Sequence, residues 1–401
     1  NYVSTAYFFS LLMYTVCAVA LYIFQTPLSL LIFGDPDYAK MIVYLIPWLY
    51  LHGTNTFISN QFRWENKPKI QVTLQCFMAI SLLITIIYFL KLTEPSLEKL
   101  IHAYLVSLII TMILGFIFIL KNRLINFSFS YSKLKIMLLF SMPLVPSSMA
   151  VFAQNYIDRI MISQILDLNA LGIYSLAFKI ASLLSVFAGI FHLSLVPLIY
   201  KHYKDSTASK NFGEAAQIFL FFILTFIVGI GLFLPELFRL FIGEEFSGSM
   251  TIIPWLLFAI GLQSFYVFAP GLAIEKKTHF IAYLNVLGMI INTILNYVLI
   301  HIIGLVGAAM ATCISAIIMC ILNVIISQRY YYIFYNYKVI LASLGIVAGI
   351  IFVVNQTDLE ISVSFFILKS FVALVTIIGL LYLLIPRHIW MPVFKKLKNF
   401  Q

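Results

Sequence analysis

The sequence predicts an all-α polytopic membrane protein: two six-helix lobes related by a pseudo-two-fold axis along the membrane normal, with two further C-terminal helices. Three observations predict it. Of the 401 residues 62% are hydrophobic and only 10% charged, with a mean hydropathy of +1.03, whereas soluble globules are about 25% charged. The apolar residues fall in runs of about 20, the length needed to cross roughly 30 Å of hydrocarbon. Finally, a pattern recurs 207–210 residues apart, pairing Gly34 with Gly243, Pro47-Trp48 with Pro254-Trp255, and Glu65-Asn66-Lys67 with Glu275-Lys276-Lys277. A repeat of this length is the mark of a duplicated architecture.

In chain order the apolar runs predict helices over 5–31, 39–61, 70–91, 100–120, 136–163, 169–197, 213–234, 249–273, 280–302, 305–327, 338–355 and 362–385. A closed β-barrel would instead need alternating polarity in strands of about ten residues, and runs such as Leu82–Leu90 lack it. The repeat pairs the helix at 5–31 with that at 213–234, so the helices at 136–163 and 169–197 have no counterpart in the first half. The expectation is that two equivalent helices precede Asn1 in the native protein, making fourteen. Equivalent helices then run in the same direction, as in parallel-repeat transporters that bind substrate between their halves. The division expected is a four-helix remainder of the first lobe (1–120), a linker (121–135), a six-helix second lobe (136–327), two added helices (328–385) and a basic tail (386–401).

Charge sets the orientation. Even-numbered connections and the tail hold 18 of the 25 Lys and Arg, among them Arg63, Lys67, Lys69, Lys121, Arg123, Lys133, Lys135, Lys201, Lys204, Lys210, Lys276, Lys277, Arg329, Lys338 and Arg387. Odd-numbered connections collect acids: Asp35, Asp37, Glu94, Glu98, Asp167, Glu236, Glu244, Glu245, Asp358 and Glu360. The positive-inside rule makes the even connections and both ends of the chain cytoplasmic. The net charge of +10 is therefore a topology signal rather than a mark of nucleic acid, and Lys395–Lys398 read as a tail lying on anionic lipid.

No Walker loop, hydrolase elbow or HExxH motif is present, and no connection is long enough for a soluble catalytic domain. The chain is therefore expected not to be an enzyme and to carry neither cofactor nor metal. Cys17, Cys76, Cys313 and Cys320 lie in apolar helices without CxxC spacing and read as small packing residues. Ionisable groups at membrane depth are the functional candidates: Asp158, Arg159, Lys179 and Lys369. Arg159 and Lys179 lie on two limbs of one hairpin, where a guanidinium and an ammonium together would attract a phosphate or diphosphate. The competing reading is that Asp158 pairs with Arg159 or Lys179 to hold the hairpin, or that the long bases snorkel to the surface.

Amides add a polar face. Asn285, Asn292 and Asn296 follow spacings of 7 and 4 on one side of the helix at 280–302, with Gly288 among them; such a stripe serves helix–helix hydrogen bonding or a cavity wall. Gln154 and Asn155 lie one turn from Asp158, Gln75 stands at the repeat position of Asn285, and Asn55, Asn60 and Gln61 precede it. His52 and His192 read as packing or lining residues. Pro143 and Pro146 predict a bend in the helix at 136–163. Gly304, Gly307, Ala308, Ala309 and Ala311, and Gly345-x-x-x-Gly349, permit close helix approach.

The segments Pro143-Leu144-Val145-Pro146-Ser147-Ser148, Asn155-Tyr156-Ile157-Asp158-Arg159-Ile160-Met161-Ile162, Leu171-Gly172-Ile173-Tyr174-Ser175 and Gly304-Leu305-Val306-Gly307-Ala308-Ala309 resemble the O-antigen flippases (Wzx), the polysaccharide-exporter branch of the multidrug/oligosaccharidyl-lipid/polysaccharide (MOP) superfamily. The resemblance covers most of the chain. It implies a flippase that carries an undecaprenyl-diphosphate-linked O-antigen repeat unit across the bacterial inner membrane by alternating access, coupled to H+ or Na+, with an O-antigen polymerase and a chain-length regulator as protein partners. On this chain it makes Arg159 and Lys179 diphosphate-binding candidates, Gln154, Asn155, Asn285, Asn292 and Asn296 a sugar-facing wall, Asp158 an ion-coupling carboxylate, and Lys67 and Lys277 head-group collectors at the cytoplasmic mouths; Lys369 joins the substrate-binding candidates by its charge at membrane depth alone. A multidrug antiporter would want more cavity carboxylates than Asp158. A peptidoglycan-precursor flippase shares the basic cavity, and a membrane glycosyltransferase or O-antigen polymerase would want a larger external loop.

Overall fold

The computed structural model describes residues 2–65, 67–92, 96–122, 128–142, 145–356, 363–386 and 388. Asn66, Glu94, Arg123, Pro143, Leu144, Asp358, Glu360, Arg387 and the tail lysines Lys395–Lys398 lie outside the described residues. Every regular element among the described residues is helical, and the chain divides into two compact units, Asn1–Val145 and Pro146–Gln401.

The first unit comprises α1 (Tyr2–Ile23), α2 (Gln25–Phe33), α3 (Ala39–Trp64), α4 (Pro68–Leu92), α5 (Leu97–Asn122) and α6 (Tyr131–Ser141). Helix α3 packs against α1, α4 and α5. Small residues bring them close: a Cβ on Gly53 of α3 would lie 2.5 Å from the Tyr14 ring of α1. Polar side chains then join the helices internally, as expected where no water competes. Asn55 Nδ2 donates to the Leu108 carbonyl at 2.9 Å, and the Ser81 and Ser107 hydroxyls meet at 2.7 Å between α4 and α5. Helix α6, which the sequence reading largely assigned to the second lobe, packs on α1, with the Ser130 N–H donating to Thr5 Oγ1 and Lys133 over the Tyr2 ring.

The second unit comprises α7 (Val145–Ile165), α8 (Leu168–His202), α9 (Ala208–Leu232), α10 (Leu234–Phe241), α11 (Ser249–Ser264), α12 (Gly271–Ile274), α13 (Thr278–Gln328), α14 (Tyr337–Gln356) and α15 (Val363–Leu384). Its apolar core is continuous through α8, α9 and α11, with Leu184, Leu224, Leu256 and Leu257 fully buried, and α14 and α15 pack on α9. Helix α13 is two limbs. Ile303 and Gly304 leave helical geometry, Gly304 at φ 60°, ψ −136°, a region L side chains rarely adopt. A Cβ on Gly307 would sit 2.0 Å from the Leu299 carbonyl oxygen, and one on Gly288 3.2 Å from Met319 Cγ. Residue 299 opposite 307 and 288 opposite 319 make the limbs an antiparallel hairpin, as the separate helices expected at 280–302 and 305–327 require.

Nine described helices are long and apolar enough to cross a membrane, with α13 counted once and the amide-bearing α3 and the polar α7 below that threshold. Several expected spans are broken, and proline is the physical cause where a donor is lost. The run at 5–31 breaks at Phe24 (φ −98°, ψ 18°), since Pro27 cannot donate to the Ile23 carbonyl. The run at 136–163 divides between α6 and α7 next to Pro146, and that at 249–273 passes through a 3-10 turn, Phe265–Phe268, before Pro270.

The repeat is written in the backbone. The Lys67 N–H donates to the Phe62 carbonyl and the Lys277 N–H to Leu272, and each lysine's own carbonyl accepts from the residue three further on, Ile70 and Phe280. Gly34 and Gly243 both take positive φ, 76° and 101°, behind the short helices α2 and α10, a conformation glycine adopts without Cβ strain.

Candidate functional site

Helices α7 and α8 form a hairpin whose turn is fixed by Asp167, its carboxylate accepting from the Ala170 N–H at 2.6 Å as an N-cap. Asp158 and Tyr174 stand at equal distances from that turn, so the hairpin brings them together. The Tyr174 hydroxyl donates to Asp158 Oδ2 at 2.5 Å and lies 3.5 Å from Thr312 Oγ1 on the second limb of α13. Asp158 is 2% exposed and Tyr174 0%. A carboxylate this deep requires partners, and Asp158 Oδ1 also accepts the Arg159 N–H at 2.8 Å.

Arg159 has its guanidinium 4.3 Å from the Phe178 ring and 4.9 Å from the Tyr156 ring. Its Nη1 donates to the Asn155 carbonyl at 2.6 Å and lies 3.7 Å from Asp158 Oδ1, a loose ion pair. A guanidinium held by aromatic faces keeps its charge and its directional donors. Lys179, next to Phe178, is exposed. Both sequence readings of Arg159 thus keep a foothold: it touches Asp158, yet the carboxylate's closest side-chain donor is Tyr174.

The amides assemble on α13. Gln154 of α7 packs over Gly288, where a Cβ would lie 3.2 Å from its Nε2. Asn292 and Asn296 are buried, Asn296 Nδ2 donating to the Asn292 carbonyl at 2.9 Å and to its Oδ1 at 3.1 Å. Asn296 Oδ1 and Ser315 Oγ are buried without a hydrogen-bond partner. The hairpin register sets position 315 opposite 292, so two unpartnered oxygens fall on facing limbs. Buried polar atoms are normally satisfied, which makes this interior a candidate for an ion or water. Asn155 and Asn285 are half-buried.

Lys369 is elsewhere. It is 4% exposed and donates to Glu236 Oε1 at 2.8 Å, pinning α15 to α10. Lys67 Nζ donates to Asn122 Oδ1 at 2.9 Å, closing α3–α4 onto the end of α5, and Lys277 is half-buried at the equivalent position. His52 stacks on Trp48 with centroids 4.8 Å apart, and His192 Nε2 lies 2.8 Å from the Ser264 carbonyl oxygen. No cluster of three or more His, Cys, Asp or Glu able to hold a metal occurs among the described residues.

Sequence reasoning missed Tyr174, Thr312, Ser315, Phe178 and Glu236. The signal for Tyr174 was a hydroxyl placed symmetrically with Asp158 about the hairpin turn. Glu236 stands 133 positions from Lys369, and no local pattern links them.

Residues 1–202, half of the chain, match the sequence model of a family described as polysaccharide biosynthesis protein. No curated protein matches the chain. Among solved structures the chain is similar to a lipid II flippase, MurJ, in an inward closed conformation, with a TM-score of 0.77 and 15% identity, covering 98% of this chain and 84% of that one. It is also similar to a multidrug resistance MATE family transporter of the MOP superfamily in an inward-facing conformation, with a TM-score of 0.66 and 14% identity, covering 82% and 80%. The outward-facing form of a transporter so described matches with a TM-score of 0.53 at 16% identity, covering 82% and 78%. At these identities the likeness is one of fold alone.

Proposed function

The chain belongs to the polysaccharide biosynthesis protein family, and from that premise we propose that it is a flippase moving undecaprenyl-diphosphate-linked O-antigen repeat units from the cytoplasmic to the periplasmic leaflet of a bacterial inner membrane. The family match carries the reading, and Asp158, Arg159 and Lys179 all lie within the matched residues. A diphosphate crossing hydrocarbon must have its charge met along the path. Arg159, held by two rings, and exposed Lys179 are the cations that meet it. The amides of Gln154, Asn155 and Asn285 are the ones placed to bond sugar hydroxyls as donors and acceptors; Asn292 and Asn296, expected on the same wall, are buried and bonded to each other and serve the interior instead. Lys67 and Lys277 gather the head group at the cytoplasmic mouths. Lys369, committed to Glu236, supports α15.

Transport is driven by an ion gradient. Asp158 supplies the carboxylate, and the unpartnered Asn296 and Ser315 oxygens support an oxygen-lined site for H+ or Na+ in the same unit. The work is translocation rather than bond chemistry, with O-antigen polymerase and its chain-length regulator receiving the product. A second reading, flipping of a peptidoglycan precursor, is favoured by the structural likeness to a lipid II flippase and would use the same cations, since both cargoes carry a diphosphate.

The test is translocation of a labelled undecaprenyl-diphosphate oligosaccharide in proteoliposomes, read by accessibility of the sugar to an external lectin. Arg159→Ala and Lys179→Ala are each expected to slow it at least tenfold at unchanged protein level, and Asp158→Asn to remove its dependence on a Na+ or pH gradient. Unchanged rates in both cation variants refute the assignment.

A further inference from the structure

At the basic end of the second unit a cavity of about 290 Å3 opens between the start of α9, the segment linking α13 to α14, and the end of α15. Lys210, Gly213, Glu214 and Gln217 line it from one face of α9. The linking segment closes directly over them: a Cβ on Gly213 would lie 2.0 Å from the Phe334 carbonyl oxygen, and the Phe334 N–H reaches Ser209 Oγ at 3.1 Å. That segment is held in a fixed course. The Gln328 side chain both donates to and accepts from the Ile333 backbone at 2.8 Å, Tyr331 donates to the Tyr203 carbonyl at 2.8 Å, and Tyr335 donates to the Phe268 carbonyl. Burial and the charge of Asp205 push the Tyr331 phenol up, so it remains a donor. The cavity is therefore a built feature of three converging segments.

Its charges are unsaturated. Glu214, largely buried, has Lys210 Nζ at 3.9 Å and His388 Nε2 at 3.3 Å, both longer than the roughly 2.8 Å of a charge-assisted hydrogen bond. Lys210 is 73% exposed and free to swing to a ligand. Asn336 adds an amide opposite Gln217, and exposed Phe334 and Tyr382 make the rim apolar. The volume is at the lower limit for ligand sites, about 300 Å3, too small for an oligosaccharide.

We propose that this cavity binds the head group of a phosphatidylethanolamine from the adjoining leaflet: the primary ammonium on Glu214, the phosphate on Lys210 with the Gln217 and Asn336 amides, and the acyl chains leaving over Phe334 and Tyr382. A wholly anionic head group would set its phosphate beside the Glu214 carboxylate and bring no cation of its own to it. A choline has no N–H to give the carboxylate. Only a ligand with both an N–H cation and a phosphate meets both charges.

The purified full chain in detergent, titrated with phosphatidylethanolamine, phosphatidylcholine or phosphatidylglycerol of identical acyl chains and read by native mass spectrometry, tests this. One phosphatidylethanolamine is expected to be retained about tenfold more tightly than either other lipid, and Glu214→Gln and Lys210→Gln each to remove that preference. Lys210 is exposed, so K210Q reports even where E214Q fails to fold. Equal or tighter phosphatidylglycerol binding, or preference intact in K210Q, overturns the proposal. Soluble O-phosphoethanolamine displacing the lipid at similar concentration would assign the site to a free metabolite and overturn the lipid assignment.

Discussion

Asp158 owes its place to Tyr174. The phenol at 2.5 Å is its closest side-chain donor, and Thr312 stands behind it. Removing that hydroxyl leaves a buried carboxylate short of a donor, a loss of about 1–3 kcal/mol. Tyr174→Phe is therefore expected to lower the melting temperature of the purified protein and to slow transport, with Asp158→Asn restoring part of the stability and none of the transport. Wild-type melting in Y174F would show that the hydroxyl does not carry this load. Arg159 is the opposite case, held mainly by ring faces; Arg159→Lys keeps the charge but loses the planar stack and is expected to retain less transport than wild type at equal abundance. Asp158 and Arg159 stand out in sequence as charges inside an apolar run. Tyr174 does not, because a tyrosine in a membrane helix is ordinary until its partner is known.

At the scale of elements, the α13 hairpin and the α10–α15 staple are the features most open to test. Gly304 holds a positive φ and Gly307 leaves no room for a Cβ beside the Leu299 carbonyl, so Gly304→Ala and Gly307→Ala are each expected to cost roughly 1–3 kcal/mol, read as earlier thermal aggregation. Wild-type melting in both would mean the hairpin closes another way. For the Lys369–Glu236 pair, Lys369→Met alone strands a buried carboxylate and is expected to cost about 3–5 kcal/mol, while the double replacement with Glu236→Leu recovers most of it. A double variant as unstable as the single would assign Lys369 a role beyond holding α15. The twelve apolar runs were legible because membrane helices are continuous in hydropathy. The breaks at Phe24 and at 265–270 were not, because hydropathy does not report a missing backbone donor, whereas Pro143 and Pro146 did mark the bend expected in the run at 136–163.

In the molecule as a whole, the duplication was legible from Gly34/Gly243, Pro47-Trp48/Pro254-Trp255 and Lys67/Lys277, and the two units repeat the same backbone hydrogen bonds at 62–70 and 272–280. The second unit's polar interior was only half legible. The Asn292–Asn296 spacing was visible, but Ser315 and Thr312 join it through a fold-back that local sequence does not encode. The cavity of Lys210, Glu214 and Asn336 was invisible, being made by three segments that no local pattern links. The central claim is translocation of a lipid-linked saccharide, and complementation of O-antigen display in a bacterium lacking its own flippase tests it most directly. Restored long-chain lipopolysaccharide with the native full-length protein, lost in Arg159→Ala and Lys179→Ala at equal membrane abundance, is the result predicted. Normal membrane insertion with no ladder from any of several O-antigen hosts, or rescue instead of a strain depleted of its lipid II flippase, would contradict it.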